Sequence, residues 1–305
     1  MSSSSFKIAF EGEPFKNGEI DVGELAPALL ALGEVIQAAN RALNGERAQA
    51  RLKLHASNTG SFEALLSVDV SMISALRDML DIVADNSDRV VAANNLLDLL
   101  LKSGAVAMGL IAAVKWLGGK KPEKVEKKTD GFTSITSNNT TILVDNRTVV
   151  LLEDLQTREA LEDFSNRALG IDGLSSVRLG EKGEEPIISL APSDRASFKV
   201  PEPAPDETIS EFIDREVLLK IITSHFRDGY KWRFTDGGER PFTADIEDTE
   251  FLNEVLQGKT TLSANDTLRC QVREEQRLSS AGLSKEIKVI KVLEHIVGAK
   301  QLKLL

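Results

Sequence analysis

The sequence predicts an α+β chain that ends in a small five-stranded β-barrel and carries a long apolar helix in its middle. Three observations predict it. Helical and strand periodicities alternate from the N-terminus, an uncharged run interrupts a strongly charged chain at Ser103–Val114, and the region 207–297 reads strand, strand, strand, helix, strand, strand.

The N-terminal module, residues 1–86, begins with a strand at Phe6–Phe10 followed by turn chemistry. A helix then starts at Asp21, where Glu24 completes a capping-box pattern, and ends at Asn44-Gly45. Leu25, Leu29, Leu32, Ile36 and Leu43 supply its apolar face. Gln49–Ala56 and Phe62–Val70 alternate around Asn58-Thr59-Gly60 and read as a hairpin. Met72–Ala84 reads as an amphipathic helix whose Arg77, Asp78 and Asp81 keep it polar on one side.

Residues 87–118 read as one central apolar helix. The uncharged run alone covers roughly 18 Å, short of the ~30 Å hydrocarbon core, but Leu96–Leu117 gives roughly 33 Å. Lys102 and Lys115 have stems long enough to snorkel, and Trp116 falls where an interfacial aromatic is expected. Gly104, Ala105, Gly109 and Ala113 provide small side chains, the last three in one stripe where a neighbouring helix can approach. Two environments fit this segment: lipid, or the interior of a soluble protein or oligomer.

Residues 119–131 form a lysine-rich linker in which Lys120, Lys121, Lys124, Lys127 and Lys128 crowd the C-terminal side of the apolar helix. Either they are solvated, or they meet anionic lipid, and by the positive-inside rule they keep the C-terminal part in the cytoplasm. The middle unit, 132–200, reads as strands at Thr133–Val144, helix over Arg147–Leu169 and a hairpin at Val177–Leu179 and Pro186–Leu190. The run PEPAPDE at 201–207 marks the next boundary.

Strands at Glu216–Phe226, Tyr230–Thr235 and Arg240–Ile246, a helix at Thr249–Leu256, and strands at Thr267–Leu278 and Lys285–Ile296 follow the order of a five-stranded OB-like barrel. Strand alternation puts Arg269, Arg273 and Arg277 on one face of a strand and Lys231 with Arg233 on a face of another. If these faces meet, the cations form a groove for phosphates, with Tyr230 or Trp232 available to stack on a base. The opposing reading has the aromatics in the core and the cations paired with acids such as Glu274 and Glu275.

Composition narrows the function classes. The 305 residues carry a net charge of −10, which disfavours binding of long duplex DNA through the overall field. A single cysteine, Cys270, forms no internal disulfide. His55, His225 and His295 lack metal-ligand spacing, and no nucleophile elbow, phosphate loop or paired cysteines occur. Carboxylates such as Asp248 and Glu250 sit at a helix start, where capping accounts for them. The expectation is therefore a binding protein without enzymatic activity, cofactor or metal.

The segments GLIAAVKWLGGKKPEKV, VVLLEDLQTREALEDF with GIDGL, and EFLNEVLQGKTTLSANDTLRCQVREEQ resemble a widespread set of bacterial proteins with one central membrane-like helix. Within that set the chain is similar to the membrane effectors of the Hailong anti-phage defence system, which act with a partner nucleotidyltransferase. The resemblance implies a homo-oligomeric channel in the bacterial inner membrane, gated by a nucleotide or oligonucleotide signal such as an oligodeoxyadenylate. It carries no residue-level motif for the ligand. The alternative expectation is a soluble oligomeric scaffold or adaptor whose central helix is the oligomer core.

Overall fold

Strand β1 (Ser2–Gly12) places Phe6, Ile8 and Phe10 in the core by alternation and has partners on both edges. It pairs antiparallel with β3 (Glu63–Met72) on one side and β7 (Leu174–Glu181) on the other. With β2 (Ala48–Leu54) and β8 (Ile188–Leu190) this gives a sheet of order β2-β3-β1-β7-β8. The computed structural model describes residues 1–15, 20–55, 63–72, 90–103, 107–181, 188–200, 209–226, 231–236, 241–263, 266–279 and 282–298. The expected helix over Met72–Ala84 and the connector at 201–207 lie outside the described residues, apart from Met72, which ends β3.

The separate modules expected at 1–86 and 132–200 instead share this sheet, because Ile8 pairs with Leu179 and Phe10 with Val177. Ser176 Oγ also donates to Glu11 Oε2 at 2.7 Å across 165 residues of chain. Such long-range pairing leaves no local periodicity to be read.

Helix α1 (Val22–Asn44) starts where Asp21 Oδ1 accepts the Gly23 amide at 2.7 Å. Ala28, Leu32, Val35, Ile36 and Ala39 are buried on one face, and the helix packs along α5 (Leu155–Ala168). Among the described residues it is the one helix long and apolar enough to cross a membrane by length and composition.

The central segment is not one helix. α2 (Ala93–Leu101) ends at Lys102, whose ψ of 131° leaves the helical region, and α3 (Leu110–Leu117) restarts after Gly109. The chain doubles back between them: Ser103 bridges Met108, and the Gly109 amide donates to Lys102 O at 2.7 Å. A Cβ on Gly109 would stand 2.9 Å from Lys102 N and 3.0 Å from Asp98 O, so the close approach needs glycine. Gly109 is buried by its own chain, and Gly104 and Ala105 lie outside the described residues. The stop at Lys102 and the restart after Gly109 remove the length that made Leu96–Leu117 a bilayer span.

Ala113 is fully buried against a three-stranded sheet of β4 (Lys124–Lys127), β5 (Phe132–Ser137) and β6 (Thr140–Asp145). Ile135, Ile142, Val144 and Val149 share that core, and half-buried Trp116 packs on it. In this fold Trp116 is thus a partly buried residue seated on that core. Part of the expected linker is strand β4, an exposed edge loaded with lysine, which discourages edge-to-edge pairing. α4 (Asn146–Glu153) and α5 are capped by Asp145 and Asp154.

The chain divides into two compact units; the first holds both open sheets with α1 to α5, and the second holds a closed barrel. The barrel consists of β9 (Ile209–Thr223), β10 (Trp232–Thr235), β11 (Phe242–Ile246), β12 (Thr267–Ser279) and β13 (Gly282–Ile296), ordered β10-β11-β13-β12-β9. β11 and β13 run parallel, and the other neighbouring pairs of the barrel are antiparallel. Between β11 and β12 lies α6 (Thr249–Leu256), capped by Asp248, whose second oxygen accepts the Val292 amide of β13 at 2.9 Å. Phe251 of α6 joins Val217, Leu219, Trp232, Phe234, Leu268, Cys270 and Val272 in the barrel core.

Candidate functional site

The inward face of β12 changes character along its length. Leu268, Cys270 and Val272 are buried in apolar surroundings, and the next inward residues, Glu274 and Gln276, are buried polar groups. Glu274 Oε2 lies 3.0 Å from Arg215 Nη2 and 2.8 Å from Lys285 Nζ, and Gln276 Nε2 donates to its other oxygen at 2.9 Å. Burial pushes the Glu274 carboxyl up, but Arg215 and Lys285 outweigh it and hold the group below its ordinary value. This end of the barrel is therefore polar inside, with a fixed internal ion pair.

Beside it lies a groove of about 720 Å³. β10 contributes Lys231, which precedes the strand, and Arg233; β11 contributes Phe242 and Thr243; the β12–β13 hairpin contributes Glu275, Arg277, Lys285 and Glu286. The register explains the convergence. Arg233 sits opposite Thr243 and Phe234 opposite Phe242, while Glu275 pairs with Glu286 and Arg277 with Ser284. Since Trp232 and Phe234 point into the core, alternation turns Arg233 outward.

Most of the groove's charges already have partners. Lys231 Nζ lies 2.7 Å from Glu286 Oε1 and 3.5 Å from Asp245 Oδ2, and its hydrogen bond to Glu286 raises its pKa. Arg277 donates to both Glu275 oxygens, at 2.6 and 2.5 Å, and its Nη2 lies 3.5 Å from Glu286 Oε2. The hydrogen bond from Lys231 is the main reason that Glu286 is held below its usual range. Lys285 is committed to Glu274. The exposed side chain of Arg233 makes no hydrogen bond or ion pair among the described residues.

Of the sequence-derived candidates, Lys231, Arg233 and Arg277 come together in this groove. Arg269 and Arg273 share the outer face of β12 but line none of it: Arg269 engages Glu216 at 2.8 Å and Glu294 at 3.1 Å, and Arg273 engages Asp214. Trp232 is 2 % exposed, tilted 17° from Phe234 and edge-on to Phe226, so it is a core residue and offers no stacking face. Tyr230 lies outside the described residues. The aromatic that reaches the groove is Phe242, half-buried and 6.5 Å from Phe234. Phe242, Lys285 and Glu286 escaped the sequence reading, whereas Glu275 is named there as an acid for the cations and does hold Arg277. The signal that could have found them is the polar step from Val272 to Glu274 on the inward face of β12.

The remaining chemistry-bearing residues have structural partners. His295 Nε2 is 2.9 Å from buried Asp266, which also accepts the Ser263 and Gly298 amides, and His55 is 2.8 Å from Ser67 Oγ. Burial pushes the Cys270 thiol far up, which keeps it protonated. Among the described residues no group of histidine, cysteine and carboxylate side chains is arranged to hold a metal. Compared with protein families, curated proteins and solved structures, the chain shows no match.

Proposed function

We propose that the C-terminal barrel is an OB-like module that binds a short single-stranded oligonucleotide or nucleotide signal, and that the protein is a sensing component acting with the nucleotidyltransferase that makes it. Several features support the reading. The helix between the third and fourth strands, and the parallel pairing of the third and fifth, follow an OB-like order. In that order the second and third strands are the usual ligand face, and the groove crosses them.

The observation that carries the proposal is Arg233, an exposed guanidinium with no acid partner among the described residues, set beside the half-buried ring of Phe242. A guanidinium presents a rigid fork that fits phosphate oxygens, and a phenyl face accepts any base by stacking. The test is fluorescence anisotropy with a short labelled oligodeoxyadenylate across a salt series. R233A is expected to weaken binding roughly tenfold and to lower the salt slope by about 0.7, the contribution of one phosphate contact on a single strand. Absence of saturable binding to any single-stranded oligonucleotide at low salt overturns the proposal.

A membrane-attached, oligomeric form of the same sensor has one observation in its favour: α1 has the length and apolarity to cross a bilayer. In that form the barrel faces the cytoplasm of the bacterial inner membrane and the bound signal gates a channel. Insertion would require α1 to exchange its packing along α5 for lipid. A soluble oligomeric adaptor keeps that packing. Carbonate extraction of cell membranes separates the two, since only the inserted form stays in the pellet.

A further inference from the structure

Four cations line the groove, yet they are not equivalent. Lys285 is committed inward to Glu274, whose side chain is 4 % exposed, so it cannot turn to a ligand without uncoupling a buried carboxylate. Arg233 needs no release. Lys231 and Arg277 lie between these extremes. Both reach Glu286, one at each oxygen, at 2.7 and 3.5 Å, and all three side chains are partly open to solvent. A carboxylate bridging two cations on a surface groove has the charge and the two-oxygen geometry of a phosphate edge.

We infer that Glu286 is a built-in competitor for the groove's phosphate site, and that a ligand phosphate binds by displacing it from Lys231 and Arg277. The inference rests on the oligonucleotide reading and adds its regulation. Glu275 does the same more locally, by holding Arg277 alone. The consequence is selectivity. A lone phosphate gains little, because it replaces one anion with another, while a ligand that also engages Arg233 and Phe242 gains contacts that Glu286 does not supply. The acids therefore tune the groove against free phosphate and polyphosphate in favour of a phosphate attached to a base.

The exchange leaves a signature in salt dependence. Where a ligand phosphate displaces a protein carboxylate, it releases few counterions; where the carboxylate is gone, the bare cations gather counterions that the ligand must then release. The experiment measures binding of labelled oligodeoxyadenylate to the full chain as wild type, E286Q and E275Q across a salt series, with inorganic tripolyphosphate as competitor. Melting temperatures confirm that each variant is folded.

E286Q is expected to bind roughly fivefold more tightly at low salt and to steepen the salt slope by about 0.7 for each cation released. Tripolyphosphate should compete better against E286Q than against wild type, and E275Q should show the same changes more weakly. If wild type binds and E286Q binds equally or less well with an unchanged slope, the competitor role is overturned and the groove's function stands. If neither wild type nor either variant binds, the oligonucleotide reading fails and takes this inference with it.

Discussion

The helical hairpin Ala93–Leu117 and strand β12 both bury side chains deeply, but under different constraints. The hairpin buries Leu96, Leu100, Leu110, Ala113 and Val114, apolar groups that need no partner beyond close packing. β12 buries three apolar groups and then Glu274 and Gln276, which need charges and hydrogen bonds aimed at them. The difference separates two kinds of information. Apolar burial reports where a segment sits and is fully explained by the fold, whereas a buried carboxylate costs free energy and must be held by other groups, so it marks where the fold does more than pack. In this molecule that place adjoins the groove.

The comparison can be broken most directly at Glu274. E274A removes the carboxylate shared by Arg215 and Lys285 and leaves two cations facing a polar but acid-depleted barrel end. Loss of about 3 kcal/mol of stability in a denaturant titration is expected, the lower end of the cost of breaking a buried pair, since Lys285 keeps access to water. The pair also sets a pH dependence. The Glu274 pKa is lower in the fold than its ordinary value of 4.5, so its contribution is complete above that value and disappears as the pH falls through the folded-state pKa. Wild type should therefore lose stability toward acid relative to E274A, and a parallel acid profile for the two proteins contradicts the buried-pair account.

Gly109 provides the matching test in the hairpin. G109A adds one methyl group that meets the backbone at Lys102 N and Asp98 O, atoms that yield only if the helices separate. A cost of about 1–3 kcal/mol in the same titration is expected, as for other overpacked sites. A neutral or stabilising G109A would mean that the chain does not double back there, and would restore a continuous apolar helix.

Legibility in the sequence follows the range of the interactions. α1 showed in its spacing and in Asp21, and the β10, β12 and β13 strands showed in alternation, because both signals are local. The stop at Lys102 and the restart after Gly109 did not, since a run without charges or prolines carries little punctuation, although Ser103-Gly104 and Gly109 were the available signs in the sequence. The shared sheet was invisible because β1 and β7 are joined only by pairing across most of the chain. Lys231, Arg233 and Arg277 were legible as outward strand residues, and so was Glu275, two residues from Arg277 on the same strand, as an acid for them; Glu286 was not, because its place beside Lys231 and Arg277 depends on the β12–β13 register. The same alternation that turns Arg233 outward assigns Trp232 to the core, so those two residues could not both face a ligand.

The smallest expected effect sharpens the comparison from the opposite side. Arg273 and Asp214 form a two-pronged pair at 2.7 and 2.8 Å on the outer face of the barrel, better in geometry than any pair made by Glu274. Both side chains are nearly half exposed, at 45 % each. Water screens the attraction and ordering two long side chains offsets what is left, so good geometry on a surface is no guide to stability. R273Q, D214N and the double variant should therefore change the melting temperature slightly and additively, and leave oligonucleotide binding unaltered, since neither residue lines the groove. A strongly non-additive cycle would show that the outer face is not merely solvated. A fall in ligand affinity with R273Q would extend the binding face beyond the groove, along β12 toward Arg269.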